Sequence, residues 1–346
     1  MVTARVISAF LAFWPAVVVT TPIQKRAVPS NVPQFVVQYA PLVWLHPEEV
    51  YLPSDIGSQL VHTVPEINFQ AVATAAKPLT LDNVNTLNTP NGSAVYLTSK
   101  DDISKNPAWL NGVRPDATGS TGSAISCAII TVNKGNGIVD AFYMYFYAYN
   151  WGGKLLGIEV GDHVGDWEHN AIRFLNGVPQ SVWYSQHSDG QAFTWSAVQK
   201  QGNRVIGYSA NGTHANYATA GTKDRVIPGL NIGNNGKILN DYAGAGTLWD
   251  PTLAAYYACY ENNTKTFSPY DTTTPTNWLS FIGQWGDQQY PDSDPRQDDV
   301  LNLHLAYKYE GGPTGPEDKN LGRTNICLQD SKPCKPMSNL LEARDE

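Results

Sequence analysis

The chain has 346 residues and a formal net charge of −8 at pH 7. Only 16% of its residues are charged, whereas the charged fraction of an average globular protein is about 25%. An acidic chain is poorly suited to bind nucleic acid or anionic lipid through charge alone, so we predict no nucleic-acid partner. The same balance favours cations and neutral glycans as ligands.

Residues 1–26 have the pattern of a secretory signal. Arg5 precedes the apolar run VISAFLAFWPAVVV, which is too short to span a bilayer comfortably, and the basic pair Lys25-Arg26 follows. We predict a signal peptide and a dibasic processing site in 1–26, and a protein that is secreted or in the secretory or vacuolar pathway; a short buried N-terminal helix is the alternative. Cleavage removes three basic residues and no acidic one, which takes the net charge from −8 to −11. No second apolar run of about 18 residues follows, so no transmembrane segment is predicted.

Short apolar runs separated by turn signals indicate a mainly β protein. The Asn-Gly signals begin at Asn91, Asn111, Asn136, Asn176 and Asn235. The clearest strand covers 138–149, where tyrosines alternate with apolar residues. One face of that strand would present the phenols of Tyr143, Tyr145, Tyr147 and Tyr149. This face either packs between two sheets or lines a groove for sugar or lipid.

Further segments complete the predicted fold. A strand at 124–132 would form a hairpin with 138–149, and other strands are predicted at 170–175, 180–187, 192–199, 204–209, 254–261 and 301–309. Short helices are predicted at 68–76 and after Pro251, and the Asn- and Gly-rich stretch 231–246 is predicted to be a long loop. This pattern favours a two-sheet antiparallel β-sandwich with long loops and a few short helices. We predict one such domain over 27–346, with a C-terminal extension.

Four cysteines in a secreted chain suggest up to two disulfides. Three connectivities are possible; the pair Cys327 and Cys334, which would close a small loop near the C-terminus, is favoured, and Cys127 and Cys259 would then remain as the second pair. Metal binding by these cysteines is disfavoured because no Cys-x-x-Cys pair occurs. Three glycosylation sequons would make the protein a glycoprotein, and they begin at Asn91, Asn211 and Asn262.

The stretch GDHVGDWEHN at 161–170 concentrates charge in a chain that has little of it. On an extended backbone Asp166 and Glu168 project to the same side, and Trp167 points into the core. Two such carboxylates repel each other unless a cation or a shared proton intervenes. With His163 brought back over them, the set suits a divalent cation such as Ca²⁺, Mg²⁺ or Mn²⁺ better than Zn²⁺. The alternative is a polar surface turn.

Two later stretches resemble loops around a site, because each follows a predicted strand and is rich in small residues. They are YSQHSDGQAFTW at 184–195 and GYSANGTHANY at 207–217. If the protein is an enzyme, we expect His187 and His214 to move protons; a structural role is the alternative for each. The remaining ligand-binding candidates are Asp162, Asp189, Ser209 and Asn211. His46 and Glu48 are further candidates because they lie two apart and so would share one strand face, and Asp55 follows them as a weaker one.

Other chemistries fit less well. The run 207–211 lacks the final glycine of a nucleophile elbow, and no His-Glu-x-x-His occurs. The acidic run 292–299 lacks the glycine and terminal glutamate of an EF-hand, so a solvated loop is the better interpretation. Asp166 and Glu168 could be the acid and base of a glycosidase only with help from another loop, because neighbours on one strand lie too close together.

Six stretches in order resemble the family named after vacuolar protein sorting-associated protein 62, which is common in fungi. They are YAPLVWLHPEEVYLPSDI, GDHVGDWEHNAIRF, YSQHSDGQAFTW, GYSANGTHANY, GQWGDQQYP and GGPTGPEDK, and they extend over nearly all of the chain after residue 26. The resemblance implies no particular activity, and the link to vacuolar sorting comes from the family's name.

The central region also resembles the necrosis- and ethylene-inducing peptide-like proteins, secreted cytolysins with a β-sandwich fold. Their Gly-His-Arg-His-Asp-Trp-Glu stretch matches the spacing of His163, Asp166 and Glu168. The resemblance implies that these three side chains help to hold a divalent cation used to recognise sphingolipid head-group sugars. Val164 and Gly165 replace an arginine and a histidine, so the resemblance supports the cation site and does not support membrane lysis.

Three functions follow from these residues. The first is cation-dependent binding of a glycan or glycolipid head group, with peripheral membrane contact where the head group is a lipid's. The second is metal-assisted hydrolysis of a glycan or phosphoester, in which His187 or His214 moves the proton. The third is an ion that only stiffens loops. The sequence favours the first.

Overall fold

The computed structural model describes residues 27–155, 157–226, 237–299, 306–328 and 334–341. It has two α-helices, α1 (Gln34–Gln38) and α2 (Ile56–His62), within these ranges. The Asp55 carboxylate caps α2 by accepting a hydrogen bond from the Ser58 backbone N–H at 2.7 Å. No helix of the described residues is long and apolar enough to cross a membrane. The predicted signal peptide at 1–26 lies outside the described residues.

Strands, of which the two longest have 13 residues each, are the main regular elements of the described residues. They are β1 (Leu42–Trp44), β2 (Thr63–Ile67), β3 (Gln70–Ala71), β4 (Tyr96–Ser99), β5 (Cys127–Gly135), β6 (Ile138–Asn150), β7 (Lys154–Leu155), β8 (Ile158–Glu159), β9 (His163–Leu175), β10 (Val178–Gln186), β11 (Asp189–Thr194), β12 (Lys200–Gln201), β13 (Arg204–Ser209), β14 (Asn216–Tyr217), β15 (Gly221–Val226), β16 (Lys237–Ala243), β17 (Leu248–Trp249), β18 (Ala255–Glu261) and β19 (Thr266–Pro269). Short 3₁₀ turns connect them, among them Val84–Asn88, Gly92–Ala94, Ile103–Lys105, Ala108–Asn111, Pro251–Leu253, Asn277–Ser280 and Pro316–Asp318.

The central element is a seven-stranded sheet in the order β11-β10-β9-β6-β5-β18-β19. The hairpin of β5 and β6 confirms the predicted pairing of 124–132 with 138–149. Asn136 and Gly137 both have positive φ (50° and 75°) and form its two-residue turn. This is the conformation that Asn-Gly favours in hairpins, so the sequence signal and the structure agree.

Strand β6 is buried on both of its faces. Tyr143, Tyr145 and Tyr147 are fully buried on one face, against Val43 and Trp249 of the smaller sheet β12-β13-β1-β17. The two sheets therefore form the predicted β-sandwich. The tyrosine stripe is core packing between sheets, and the alternative of a tyrosine-lined groove is wrong for these three residues.

A second hydrophobic layer covers the opposite face of the large sheet. Phe142, Met144 and Phe146 of β6 pack there together with Trp278 and Trp285. Helix α2 and strand β4 contribute further buried side chains to the same cluster. Both faces of β6 are covered, which explains why its apolar pattern is nearly continuous.

The structure corrects three parts of the predicted topology. The sandwich is not purely antiparallel, because β1 pairs with β13 and β5 pairs with β18 in parallel. Residues 68–76 are not helical: Asn68 and Phe69 have positive φ and turn the chain between β2 and β3. Residues 237–243 form β16, which pairs with β15, so the predicted loop 231–246 is wrong there.

Two further predictions have mixed outcomes. The chain after Pro251 begins with a short 3₁₀ turn, as predicted. Most of the strand predicted at 301–309 lies outside the described residues, and 306–309 makes only isolated bridges, such as Tyr309 with Asp162.

One of the two predicted disulfides is present. Cys327 and Cys334 are joined, as predicted. Cys127 and Cys259 are free, so their predicted pairing is wrong. The parallel register of β5 and β18 places Cys127 opposite Ala255 and Cys259 opposite Thr131. Four residues of strand separate the two thiols, which is too far for a disulfide.

Candidate functional site

A polar cavity of about 260 Å³ lies where β6 ends at Asn150 and β9 begins at His163. We call it the acidic cavity. Its ionisable wall residues are Asp166, Glu168, Glu310, His163, His187, Arg225 and Lys319. The three residues predicted to bind a cation, His163, Asp166 and Glu168, therefore line one cavity together.

Strand β9 places the two carboxylates as its alternation predicts. Trp167 packs into the hydrophobic layer with Phe146 and Trp285, which fixes this part of the strand. Asp166 and Glu168 consequently face the other side, and both side chains are buried. Burial is the main reason why the pKa of Glu168 is raised, and the nearby carboxylate of Asp166 adds to the effect. The pKa of Glu168 is about 8 as a result.

His214 orients Asp166 through a hydrogen bond. Its Nδ1–H donates to Asp166 Oδ2 at 2.9 Å, and its Nε2–H donates to the Tyr51 carbonyl at 2.8 Å. Burial opposes the charged imidazolium, but the carboxylates of Glu49 and Asp166 outweigh burial and raise the pKa of His214 to about 10. The structure therefore places His214 next to Asp166 with both ring nitrogens engaged, and not on the cavity wall.

Glu168 is held by two donors. The Ser185 hydroxyl donates to Glu168 Oε2, and the backbone N–H of His187 donates to Oε1 at 3.2 Å. His187 has a φ of 56°, and this left-handed conformation turns its backbone towards the carboxylate. The turn after β10 thus fixes both Glu168 and the His187 ring at the cavity.

The His187 ring is oriented by a buried carboxylate. Its Nε2 lies 2.7 Å from Asp241 Oδ2. Asp241 also accepts hydrogen bonds from the Tyr217 hydroxyl at 2.6 Å and the Thr213 hydroxyl at 2.9 Å. Burial alone would raise the pKa of Asp241, but His187, Arg225 and the Tyr217 hydroxyl lower it to about 2. His187 and Asp241 form a buried histidine–carboxylate pair next to Glu168.

His163 is oriented by its own strand. Its Nδ1 donates to the Gly165 carbonyl at 2.7 Å, which leaves Nε2 as the nitrogen with a lone pair. Burial lowers the pKa of His163, against the opposing effect of Asp166, so the neutral imidazole is favoured. Metal-binding histidines are commonly oriented in this way by a backbone carbonyl.

The first predicted ligand segment is placed differently. His46 and Glu48 do not share a strand face, because β1 ends at Trp44 and the chain then turns. The Glu48 backbone N–H donates to His46 Nδ1 at 3.2 Å, and Glu48 is exposed. Glu49 is the buried residue here, and its Oε2 accepts the Gly212 backbone N–H at 2.7 Å.

The other predicted ligand-binding residues are spread around the site. Asp162 is not a wall residue of the acidic cavity: its carboxylate accepts from the Gly152 N–H at 2.9 Å and from the Tyr149 hydroxyl at 3.2 Å. Ser209 is fully buried and lines neither this cavity nor its neighbour. Asn211 also lies outside both walls, and its backbone N–H donates to the Tyr242 carbonyl.

Asp189 lines a neighbouring cavity of about 250 Å³. Trp167, Glu168, His187, Ser188 and Lys319 occur in the walls of both cavities. The remaining polar wall residues of the neighbouring cavity include Ser185, Thr314 and Asp318.

Sequence reasoning missed four site residues: Glu49, Asp241, Glu310 and Lys319. The sequence does not indicate Glu49 and Asp241, because their burial depends on strands that are distant in sequence. Glu310 and Lys319 belong to the segment that follows Tyr309 and line the acidic cavity. The start of this segment is held beside β9 because the Lys308 carbonyl accepts the Asp162 backbone N–H at 2.8 Å. Lys319 ends the family-like stretch GGPTGPEDK, and this resemblance is the signal in the sequence that indicates it.

The fold and this cavity define a β-sandwich protein with a buried histidine- and carboxylate-lined site. The family model described as vacuolar protein sorting-associated protein 62 matches residues 21–307. The chain belongs to this family.

Two proteins of Saccharomyces cerevisiae are similar to the chain. Putative vacuolar protein sorting-associated protein TDA6 is 37% identical, over 86% of this chain and 69% of that protein. Vacuolar protein sorting-associated protein 62 is 35% identical, over 86% of this chain and 68% of that protein. Both similarities extend over most of the residues that form the sandwich.

Solved structures give weaker matches. NLPPya in complex with glucosamine is 11% identical, with a TM-score of 0.32 over 68% of this chain and 78% of that one. The non-toxic HaNLP3 protein is 12% identical, with a TM-score of 0.30 over 70% and 80%.

Proposed function

We propose that the acidic cavity binds a divalent cation and, with it, the hydroxyl groups of a glycan or glycolipid head group. The observation behind this proposal is that His163, Asp166 and Glu168 line one buried cavity and are each oriented by a neighbouring group. Two adjacent buried carboxylates form a costly arrangement that a cation relieves.

The donor types fit a hard divalent ion. Asp166 keeps one oxygen that is not used by His214, Glu168 supplies carboxylate oxygens, and His163 supplies Nε2. No group of three His, Cys, Asp or Glu side chains in the described ranges is arranged to hold a metal ion. Binding therefore requires these side chains to close on the ion, with water or ligand oxygens completing the shell. The cation would supply positive charge that draws in hydroxyl or phosphate oxygens.

The protein's own groups would then position the ligand. His214 and Ser185 keep Asp166 and Glu168 directed at the cavity, and the ammonium group of Lys319 is available to donate hydrogen bonds. The negative net charge of the processed chain favours a neutral sugar over an anionic surface. Peripheral membrane contact would thus depend on the head group of a glycolipid.

Metal content and calorimetry test the cation step. The purified protein is stripped with chelator and titrated with CaCl₂, MgCl₂ and MnCl₂, alongside Asp166→Asn and Glu168→Gln. The matched control is Asp82→Asn, which removes an exposed carboxylate. Asp82 is not a wall residue of the cavity, and its backbone carbonyl contacts Asn277 instead. We expect one ion per chain in the wild type and the control, and at least tenfold weaker binding in the two cavity variants. Equal affinity in all four proteins would contradict the proposal.

A glycan array, read with and without chelator, tests the ligand step. We expect retention that requires the cation and that is lost in Asp166→Asn. Vesicles with and without glycolipid separate a head-group ligand from a free glycan. Retention that is unaffected by chelator would contradict cation-dependent binding.

Metal-assisted hydrolysis is the second candidate function, and the His187–Asp241 pair favours it. A histidine held by a buried carboxylate beside a carboxylate-lined cavity is an arrangement used for proton transfer. Release of nitrophenol from nitrophenyl glycosides and phosphodiesters measures turnover directly. Turnover in the wild type that falls at least 100-fold in His187→Asn would establish hydrolysis, and no turnover would leave binding as the function.

We also propose that the chain follows the secretory or vacuolar pathway. The signal pattern in 1–26 and the names of the yeast relatives, which refer to vacuolar protein sorting, support this route. N-terminal sequencing of the protein from culture medium and from isolated vacuoles tests it. A mature N-terminus at or just before residue 27 in either fraction is expected; recovery only from the cytosol with Met1 retained would contradict it.

A further inference from the structure

We propose that the site has two subsites, and that its ligand is at least the size of a disaccharide. One sugar unit occupies the acidic cavity and the next occupies the neighbouring cavity. This inference rests on the proposed function, because it takes the acidic cavity as a site for sugar hydroxyls.

The first support is the continuity of the two cavities. Five residues line both of them: Trp167, Glu168, His187, Ser188 and Lys319. At about 260 and 250 Å³, each cavity is smaller than the roughly 300–1,000 Å³ typical of small-molecule sites, and the two together fall within that range. Two adjoining spaces with a common wall suit a ligand of two linked units.

The second support is the chemistry of the neighbouring cavity. Its wall combines the hydroxyls of Ser185 and Thr314 with the carboxylate of Asp318 and the ammonium group of Lys319. The Ser185 hydroxyl donates to Glu168 and the Thr314 hydroxyl donates to Asp318 at 3.0 Å, so these hydroxyls offer acceptor oxygens to a ligand while Lys319 offers donors. Sugar hydroxyl groups, each of which both donates and accepts, can use both kinds of partner. Leu328 supplies limited apolar surface there, because the Trp167 ring packs against Phe146 and Trp285 in the hydrophobic layer, and this surface is too little for a lipid chain.

The third support is the position of Lys319. It follows the 3₁₀ turn Pro316–Asp318 and lines both cavities, close enough to Glu168 to act on its charge. Among the described residues, its ammonium group has neither a hydrogen-bond nor an ion-pair partner. A half-buried cation at the common wall can donate to the oxygen atoms at the junction of two sugar units.

Calorimetry with matched sugars tests the second subsite. The probes are mannose against α1,2-mannobiose, and N-acetylglucosamine against chitobiose, each with the cation-loaded protein. The variants Asp318→Asn and Lys319→Met alter the neighbouring cavity and the common wall, and Glu310→Gln alters the acidic cavity alone. The wild type is expected to bind at least one disaccharide about tenfold more tightly than its monosaccharide.

Asp318→Asn should remove that gain and leave the monosaccharide affinity within about twofold, whereas Lys319→Met, which alters the wall common to both cavities, should weaken both sugars and the disaccharide by the larger factor. Glu310→Gln should weaken the monosaccharide and the disaccharide by the same factor. A wild type that binds no disaccharide more tightly than its monosaccharide overturns the proposal, as does an equal loss for both sugars in Asp318→Asn. Cation and monosaccharide binding without the gain refutes only the second subsite, whereas loss of cation binding refutes the proposed function as well.

Discussion

His214 lies flat against Tyr147, with ring centroids 3.7 Å apart and ring planes 5° from parallel, while its Nδ1 donates to Asp166. The stack and the hydrogen bond fix the imidazolium in a fully buried position. The core tyrosine stripe of β6 and the acidic cavity are therefore directly connected. A change in this ring will alter both the packing of the sandwich and the orientation of Asp166.

His214→Asn should destabilise the fold by about 3 kcal/mol, since removing one partner of a buried ion pair leaves the other charge uncompensated. Asparagine tolerates the left-handed conformation that position 214 requires, where φ is 54°, so backbone strain does not explain the loss. Urea unfolding at pH 7 measures it. His46→Asn is the control, because His46 is partly exposed and makes only a local bond with Glu48. Equal destabilisation by the two variants would show that the buried pair contributes nothing.

Stability should decrease as pH rises from 4 to 8, partly through Asp162. Burial raises the pKa of Asp162 to about 7, with hydrogen bonds from Gly152 and Tyr149 only partly opposing it. The folded state then binds a proton that the unfolded state has lost. The contribution is complete below the unfolded pKa of about 4 and is lost as pH rises through 7. The change amounts to an order of 2–4 kcal/mol in the free energy of unfolding.

Asp162→Asn isolates this contribution. The amide oxygen can still accept the Gly152 N–H, and no ionisation remains at the position. Glu168, whose pKa is raised to about 8, has the same sign and is unchanged in the variant, so the difference between the two stability profiles belongs to Asp162. We expect the variant to gain stability relative to wild type at pH 8 and not at pH 4. Parallel profiles would contradict the shifted pKa.

Local signals in the sequence predicted the framework of the fold. Alternation along 138–149 gave β6 and its two faces, because side-chain direction on a strand depends only on position. The Asn-Gly pairs at 136 and 176 gave hairpin turns with positive φ at both residues. The same reasoning placed Asp166 and Glu168 on one side of β9 and Trp167 on the other.

Features that depend on distant segments could not be read in this way. The parallel pairing of β5 with β18 joins strands more than 100 residues apart, and it determines that Cys127 and Cys259 stay separate. Asp241 became part of the site because β16 pairs with β15, in a stretch whose asparagines and glycines indicate a loop. Strand alternation predicts His46 and Glu48 on one face, but the chain turns after β1 and the rule does not apply there. Glu49 is the buried residue of this segment.

Gly165→Ala should destabilise the protein by more than about 3 kcal/mol. Gly165 has a φ of 69°, and a Cβ there would lie 2.2 Å from the Trp285 carbonyl oxygen. The backbone strain alone is worth about 1–2 kcal/mol. Gly202→Ala is the matched control, because Gly202 has a φ of 60° and open space around it. Thermal unfolding of both variants separates the clash from the strain, and equal losses would show that the Trp285 contact is easily relieved.

The cysteines give a chemical check of the strand register. With Cys327 and Cys334 joined and the other two free, the denatured, unreduced protein should show two thiols per chain in a colorimetric thiol titration. In the native state Cys259 should react first, since it is partly exposed, whereas burial raises the pKa of the Cys127 thiol and removes it from solvent. Cys259→Ser should abolish the fast native reaction and leave one thiol after denaturation. No free thiol in the unreduced denatured wild type would mean that Cys127 and Cys259 are paired, which the parallel register of β5 and β18 does not allow.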